Sequence, residues 1–188
     1  MDVALKEWAV VVEALLAGRQ AILLRRGGIV EARNGFQVRH REFLLFPTFE
    51  HQHASFIRAE HDDLFRSAMA AQGRALRVEA YAEVVDTLAA PADAGELLAA
   101  PSLHIWNERY IAQRYEYRPD LPLTLLIVRA YRLNAPAVLP LRSAYAGCKS
   151  WVNLTEDVNV NGAVPALDDA AFEQVRADVK AQLTLHAA

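Results

Sequence analysis

The sequence predicts a single α+β domain: a mixed or mostly antiparallel sheet of about five or six strands, packed by three or four helices. Three observations predict it. The 188 residues are 53% apolar and 23% charged, an ordinary globular balance that can bury one core. Two apolar runs read as strands: Glu42-Phe43-Leu44-Leu45-Phe46, closed by Pro47 and buried on both faces, and the segment 123–133. The helical segments fall between strands without regular βαβ alternation, and no internal repeat is present. The whole chain, 1–188, is therefore read as one domain.

Taken in order, Asp2 is placed to cap a helix through about Ala17, with Trp8, Val12, Leu15 and Leu16 on its apolar side and Gly18 as its stop. Gln20–Arg25 reads as a strand. Gly27-Gly28 turns the chain, a weak strand lies around Ile29–Ala32, and Asn34-Gly35 signals a hairpin. After the strand ending at Pro47, a helix spans about Ala59 to Gln72 and stops at Gly73. Leu76, Val78, Ala80, Ala82 and Val84 alternate with polar residues as in a half-buried strand. Pro91–Pro101 contains a short helix, Ala94–Ala99, and reads as a hinge or surface insertion. Ser102 then caps a helix to about Tyr115, the second long strand follows, and Pro136–Ser143 reads as loop. Trp151–Leu154 is a short final strand. Asp168 or Asp169 caps a terminal helix of about 168–183, with Phe172, Val175, Val179 and Leu183 at helical spacing.

Composition narrows the functional classes. The net charge of −3 makes the molecule as a whole no attractor of polyanions or anionic lipid, so any anion site must be a local patch. Arginine greatly outnumbers lysine, as suits bidentate phosphate recognition and also a GC-rich codon supply. The lone Cys148 fits a reducing compartment, and the opening residues lack a signal pattern. The apolar runs are far too short to span a membrane. The expectation is a cytoplasmic protein.

Three groups of residues are candidates for chemistry. The first flanks the strand ending at Pro47: His40, Arg41 and Glu42 before it, then Thr48-Phe49-Glu50-His51-Gln52-His53 after it. His51, Glu50 and His40 are the candidate acid–base residues. His51 and His53, at i and i+2, are the candidate metal ligands, with no cofactor specified. The alternative is that these side chains bond the backbone and close a loop. The second group is basic. Arg25, Arg26, Arg39 and Arg41 would converge on one sheet face if their strands form a hairpin, making a phosphate surface completed by Gln52. A charged strand edge that prevents aggregation is the competing explanation. Arg129, inside an apolar run, must either pair with a carboxylate (Glu79, Glu83 or Glu116) or face a cavity. The third group is Gly147-Cys148-Lys149-Ser150, where Lys149 adds a further cation and the segment otherwise reads as a packed turn. No phosphate-cradling Gly-rich loop, nucleophile elbow or HExxH helix appears.

Leu5-Lys6-Glu7-Trp8-Ala9, Leu23-Leu24-Arg25-Arg26-Gly27-Gly28-Ile29, the run Glu42–Gln52 and Gly147-Cys148-Lys149-Ser150-Trp151-Val152 together resemble the bacterial family called domain of unknown function 1802. The resemblance covers about residues 2–155. It brings no catalytic residues to carry over. It implies a loose link to nucleic-acid processing, because members occur beside restriction-type nuclease domains. Three readings follow: a nucleic-acid or nucleotide-phosphate binding module; a metal- or His/Glu-dependent hydrolase of a small phosphorylated or nucleotide substrate; and a non-catalytic interaction module whose terminal helix makes a homodimer or partner contact. The sequence does not decide between binding and catalysis.

Overall fold

The computed structural model describes residues 1–26 and 36–187. It begins with a strand, not a helix. β1 (Val3–Trp8) precedes α1 (Ala9–Leu16), whose N-terminus at Trp8 has no side-chain cap, so Asp2 does not start a helix. Tertiary pairing overrides the helical spacing here. β1 lies between β3 (Glu42–Thr48), to which it is parallel, and β6 (Trp151–Asn153), to which it is antiparallel. Its backbone is bonded on both sides, which local helical bonds could not match. Gly18 does stop the helix, at φ +65, and a Cβ there would lie 2.6 Å from Leu167 Cδ2.

The sheet runs β2-β5-β4-β3-β1-β6, with β2 at Ile22–Arg25, β4 at Ala75–Ala89 and β5 at Thr124–Pro140. Two short strands join from the side: β7 (Val164–Pro165) pairs with β5, and β8 (His186–Ala187) with β4. β2 and β3 are not hairpin partners, because β5 and β4 lie between them. The expected turns at Gly27-Gly28 and Asn34-Gly35 and the weak strand at Ile29–Ala32 lie outside the described residues. β4 and β5 form the longest ladder and run past their predicted ends. Leu139 and Pro140, expected in a loop, pair with Leu76 and Ala75. Pro136 is tolerated because it falls where the register shifts between Val78 and Ala80, a bulge that asks no ladder bond of it.

Both faces of the central strands are covered, which explains their near-continuous apolar runs. Leu5, Phe43 and Leu45 belong to the main core, with α1 and the apolar residues of α4 (Glu108–Glu116). The alternate residues Ala4, Leu44 and Phe46 belong to a smaller core with Val152, Leu154 and Tyr145. α4 starts five residues later than Ser102 suggests: Asn107 is its cap, accepting from the Tyr110 N–H. Before it, α3 (Ala94–Ala99) sends Leu97 fully into the main core, so this stretch packs instead of hinging. α2 (Asp62–Ala70) lies against α1. α5 (Asp169–Gln182) is capped by Asp168, and Phe172 and Val179 enter the main core. The apolar stripe of this helix is therefore used within the chain. Arg176 and Lys180 tie it to Asp86 at 2.6 and 2.8 Å. Among the described residues no helix is long and apolar enough to cross a membrane.

One buried group makes the fold sensitive to acid. His104 is 1% exposed, stacks on Trp106 and places Nε2 3.0 Å from the Leu97 carbonyl. Burial, opposed by the bond to the Leu97 carbonyl and aided by the nearby Arg58 charge, brings its pKa down to about 4. The unfolded chain binds this proton near its ordinary value, so the contribution is complete above about pH 6.5 and declines as pH falls toward 4. We expect acidification from pH 7 to 4 to remove about 3 kcal/mol through this site. Urea unfolding of wild type and His104→Gln across that range should show the variant losing clearly less stability. Parallel curves would refute the assignment.

Candidate functional site

A cleft of about 780 Å³ opens beside the ends of β1 and β3. Lys6, Glu7 and Trp8 come from β1, Thr48 and the loop Glu50–His53 follow β3, and α4 supplies Arg109, Tyr110, Gln113 and Arg114. Arg25 and Arg26 enter from β2, and Gly147–Ser150 closes the remaining side. Six basic side chains (Lys6, Arg25, Arg26, Arg109, Arg114 and Lys149) thus face two carboxylates, Glu7 and Glu50. In a chain of net charge −3, this is a local reversal of sign.

The sheet has to curl to build this wall. β2 and β1 are four strand positions apart, which in a flat sheet would be about 19 Å. Yet Arg25 Nη1 lies 3.1 Å from Glu7 Oε2 and donates to the Lys6 carbonyl at 3.1 Å. Both side chains are about nine-tenths buried, and the Arg25 guanidinium also lies over the Phe36 ring. The second Glu7 oxygen accepts the Trp8 N–H at 2.8 Å.

Arg26 serves a different element. Its Nη1 donates to the carbonyls of Tyr115, Tyr117 and Arg118 at 3.0, 3.1 and 3.2 Å, satisfying the orphan acceptors where α4 ends. Burial lowers its pKa from the ordinary arginine value. Arg114 donates to the Tyr110 hydroxyl at 3.2 Å, while burial raises the pKa of that phenol. Trp8, Phe56 and Tyr110 form one aromatic wall, with centroid separations of 5.1 Å (Trp8–Tyr110) and 5.8 Å (Trp8–Phe56). Arg109 is exposed and lies over Phe56. Burial lowers the pKa of the Lys6 ammonium, Glu50 opposes that shift, and Lys149 adds to it. Lys6 donates to the Gly147 carbonyl at 3.0 Å, and Lys149 to that of Ala144.

The sequence candidates divide. Arg25, Arg26, Glu50, His51, Gln52, His53 and Lys149 all line the cleft. His51 is exposed and adopts φ +63, a left-handed backbone unusual for a side chain of its size. Gln52 is a brace: its Oε1 accepts the Val10 N–H at the start of α1, and its Nε2 reaches Met69. His53 caps a short turn by accepting the Ser55 N–H. Among the described residues, no group of three or more His, Cys, Asp or Glu side chains is placed to hold a metal. Arg39, His40 and Arg41 sit outside the cleft on the approach to β3, which β5 and β4 separate from β2. His40 packs edge-on to Trp151, and Arg41 donates to the Val84 carbonyl at 3.4 Å. Arg129 pairs with Asp169 at the start of α5, a carboxylate outside the three considered from sequence, and faces Tyr131 and Phe172.

Sequence reading missed the contribution of α4. Its signal was available: Arg109, Tyr110, Gln113, Arg114 and Tyr117 recur at helical spacing, a basic and aromatic stripe. Lys6 and Glu7 were hidden by the helical reading of the opening segment. Chemically, the assembled surface can hold an anion at the basic rim and present flat aromatic surface beside it.

The family model described as domain of unknown function (DUF1802) matches residues 4–178. Among solved structures, the chain is similar to ASCH from Zymomonas mobilis, at 10% identity over 97% of this chain and 95% of that one, with a TM-score of 0.46. A tyrosine-to-phenylalanine mutant described as ZmASCH, from the same organism, matches at 13% identity over 82% and 90%, with a TM-score of 0.44. No curated protein matches.

The Arg25–Glu7 pair gives a direct prediction. Breaking a buried pair strands one charge, so Glu7→Gln and Arg25→Met should each destabilise by about 3 kcal/mol or more. Their combination should cost clearly less than the sum of the two. Denaturant unfolding of the four proteins measures this coupling, and strict additivity would show that the contact does not hold the curl.

Proposed function

This chain belongs to the domain of unknown function 1802 family, and we propose that it binds nucleic-acid phosphate in the basic cleft. One observation carries the reading: six basic side chains and two carboxylates gathered in one concave site of an acidic protein. Arg25 and Arg26 are largely committed to Glu7 and to the carbonyls ending α4, so they fix the shape of the wall. Arg114 is likewise engaged, by the Tyr110 hydroxyl and the Leu24 carbonyl, so Lys6, Arg109 and Lys149 are the cations left to meet phosphate oxygens, and each is at least partly open to solvent. The aromatic wall and the exposed Tyr117 ring offer surface on which an unpaired base can stack, which favours a single strand over a duplex. His51 and Glu50 stand at the mouth, where they contact whatever the cations hold.

Binding to a single strand releases condensed counterions, with a slope of about −0.7 in log K against log salt for each phosphate contacted. Three contacts predict that affinity for a short DNA or RNA strand falls about twentyfold between 50 and 200 mM salt. Arg109→Ala and Lys149→Ala should each weaken binding and reduce the slope by about 0.7, whereas Arg41→Ala should leave both unchanged. Fluorescence anisotropy with a labelled oligonucleotide measures all of these. Salt-independent binding, or no binding to DNA, RNA or nucleotides, would remove the reading.

A further inference from the structure

We propose that the smaller cavity adjoining the cleft is a nucleobase pocket that prefers guanine, held through the Glu13 carboxylate; this deepens the phosphate-binding reading and rests on it. The cavity has a volume of about 380 Å³ and lies between α1, α2 and the strands β3 and β4. Lys6, Thr48 and Glu50 line both hollows, so a strand held at the basic rim can turn one base through that shared wall. The walls are mostly apolar, from Val12, Phe46, Phe49, Ala68, Ala71 and Leu76. A lining that joins apolar walls to several polar groups suits a flat small molecule.

The polar groups decide which molecule. Three carboxylates, Glu13, Glu50 and Glu79, are balanced there by Lys6, Arg77 and Arg142, so the cavity lacks the basic excess of the cleft, and the phosphate stays at the basic rim while the uncharged end of a nucleotide enters. Glu79 already pairs with Arg77, and Arg132 lies 3.8 Å away. No hydrogen bond or ion pair occupies the Glu13 carboxylate among the described residues. It is half-buried, and burial followed by the Glu79 charge raises its pKa above the usual carboxylate value. Two parallel N–H donors would satisfy both of its oxygens. The Watson–Crick edge of guanine offers such a pair, N1–H and the 2-amino group. Adenine and cytosine offer one amino group there, and uracil a single ring N–H.

Two arms test this separately from the phosphate reading. In the first, guanosine, which carries no phosphate, is titrated into the protein and followed by amide NMR. Guanosine should shift residues around Glu13 and bind about tenfold more tightly than inosine, which lacks the 2-amino group. Glu13→Gln should erase that preference, and Ala71→Leu, at an exposed helix end that tolerates bulk, should block entry. In the second arm, an abasic single strand is measured by anisotropy, with Lys149→Ala as the control. Guanosine and inosine binding alike, or neither shifting the pocket, overturns the proposal whatever the abasic strand does. An abasic strand that fails to bind while guanosine discriminates overturns the cleft and leaves the pocket.

Discussion

The contact between Arg25 and Glu7 is the constraint on which the rest of the structure depends. It joins a strand at one side of the sheet to one four places away, and only a strongly curled sheet lets them meet. A charged pair removed from water is not in itself a strong source of stability, since desolvation offsets most of the attraction. Its contribution is to specificity of shape. The Lys6 carbonyl, the Trp8 N–H and the Phe36 ring complete its surroundings, so few other curvatures would satisfy both ions. The curl in turn creates the concave wall that α4 and the loop after β3 complete.

The cations of that wall fall into two kinds. Arg25 and Arg26 are buried and bonded within the protein, Arg26 ending a helix by taking up its last carbonyls. They tie β2 to β1 and to the end of α4, the two elements from which Lys6 and Arg109 are displayed. This division matters for recognition: a site whose charges are pre-positioned loses less freedom when its ligand arrives.

Much of this was legible before any coordinates. The two apolar runs were buried strands, the alternating segment from Leu76 was the long β4, and Asp168 capped the last helix. The Glu50–His53 loop, the pair Arg25 and Arg26, and Lys149 were candidates in three separate groups, and all of them line one cleft. What sequence missed was decided by partners far away in the chain. Val3–Trp8 has helical spacing, and only its two neighbouring strands make it extended. Arg39 and Arg41 were drawn into the site by an assumed hairpin, and the insertion of β5 and β4 between β2 and β3 leaves them outside. Arg129 met a carboxylate that no spacing rule connects to it, because Asp169 arrives on a helix docked against the sheet.

The placement of β1 carries a consequence for synthesis. This strand sits between β3 and β6, and β6 is made near the other end of the chain. As the polypeptide emerges from the ribosome, the apolar residues Leu5 and Ala4 must wait on the order of ten seconds for Trp151–Asn153 to appear and cover the second side of β1. Throughout that interval an open strand edge with a hydrophobic surface is presented to the cell, a hazard that long-range pairing imposes on any fold of high contact order. Lys6 and Glu7 put two charges into that strand, the kind of residue that lowers the tendency of an unpaired apolar segment to associate.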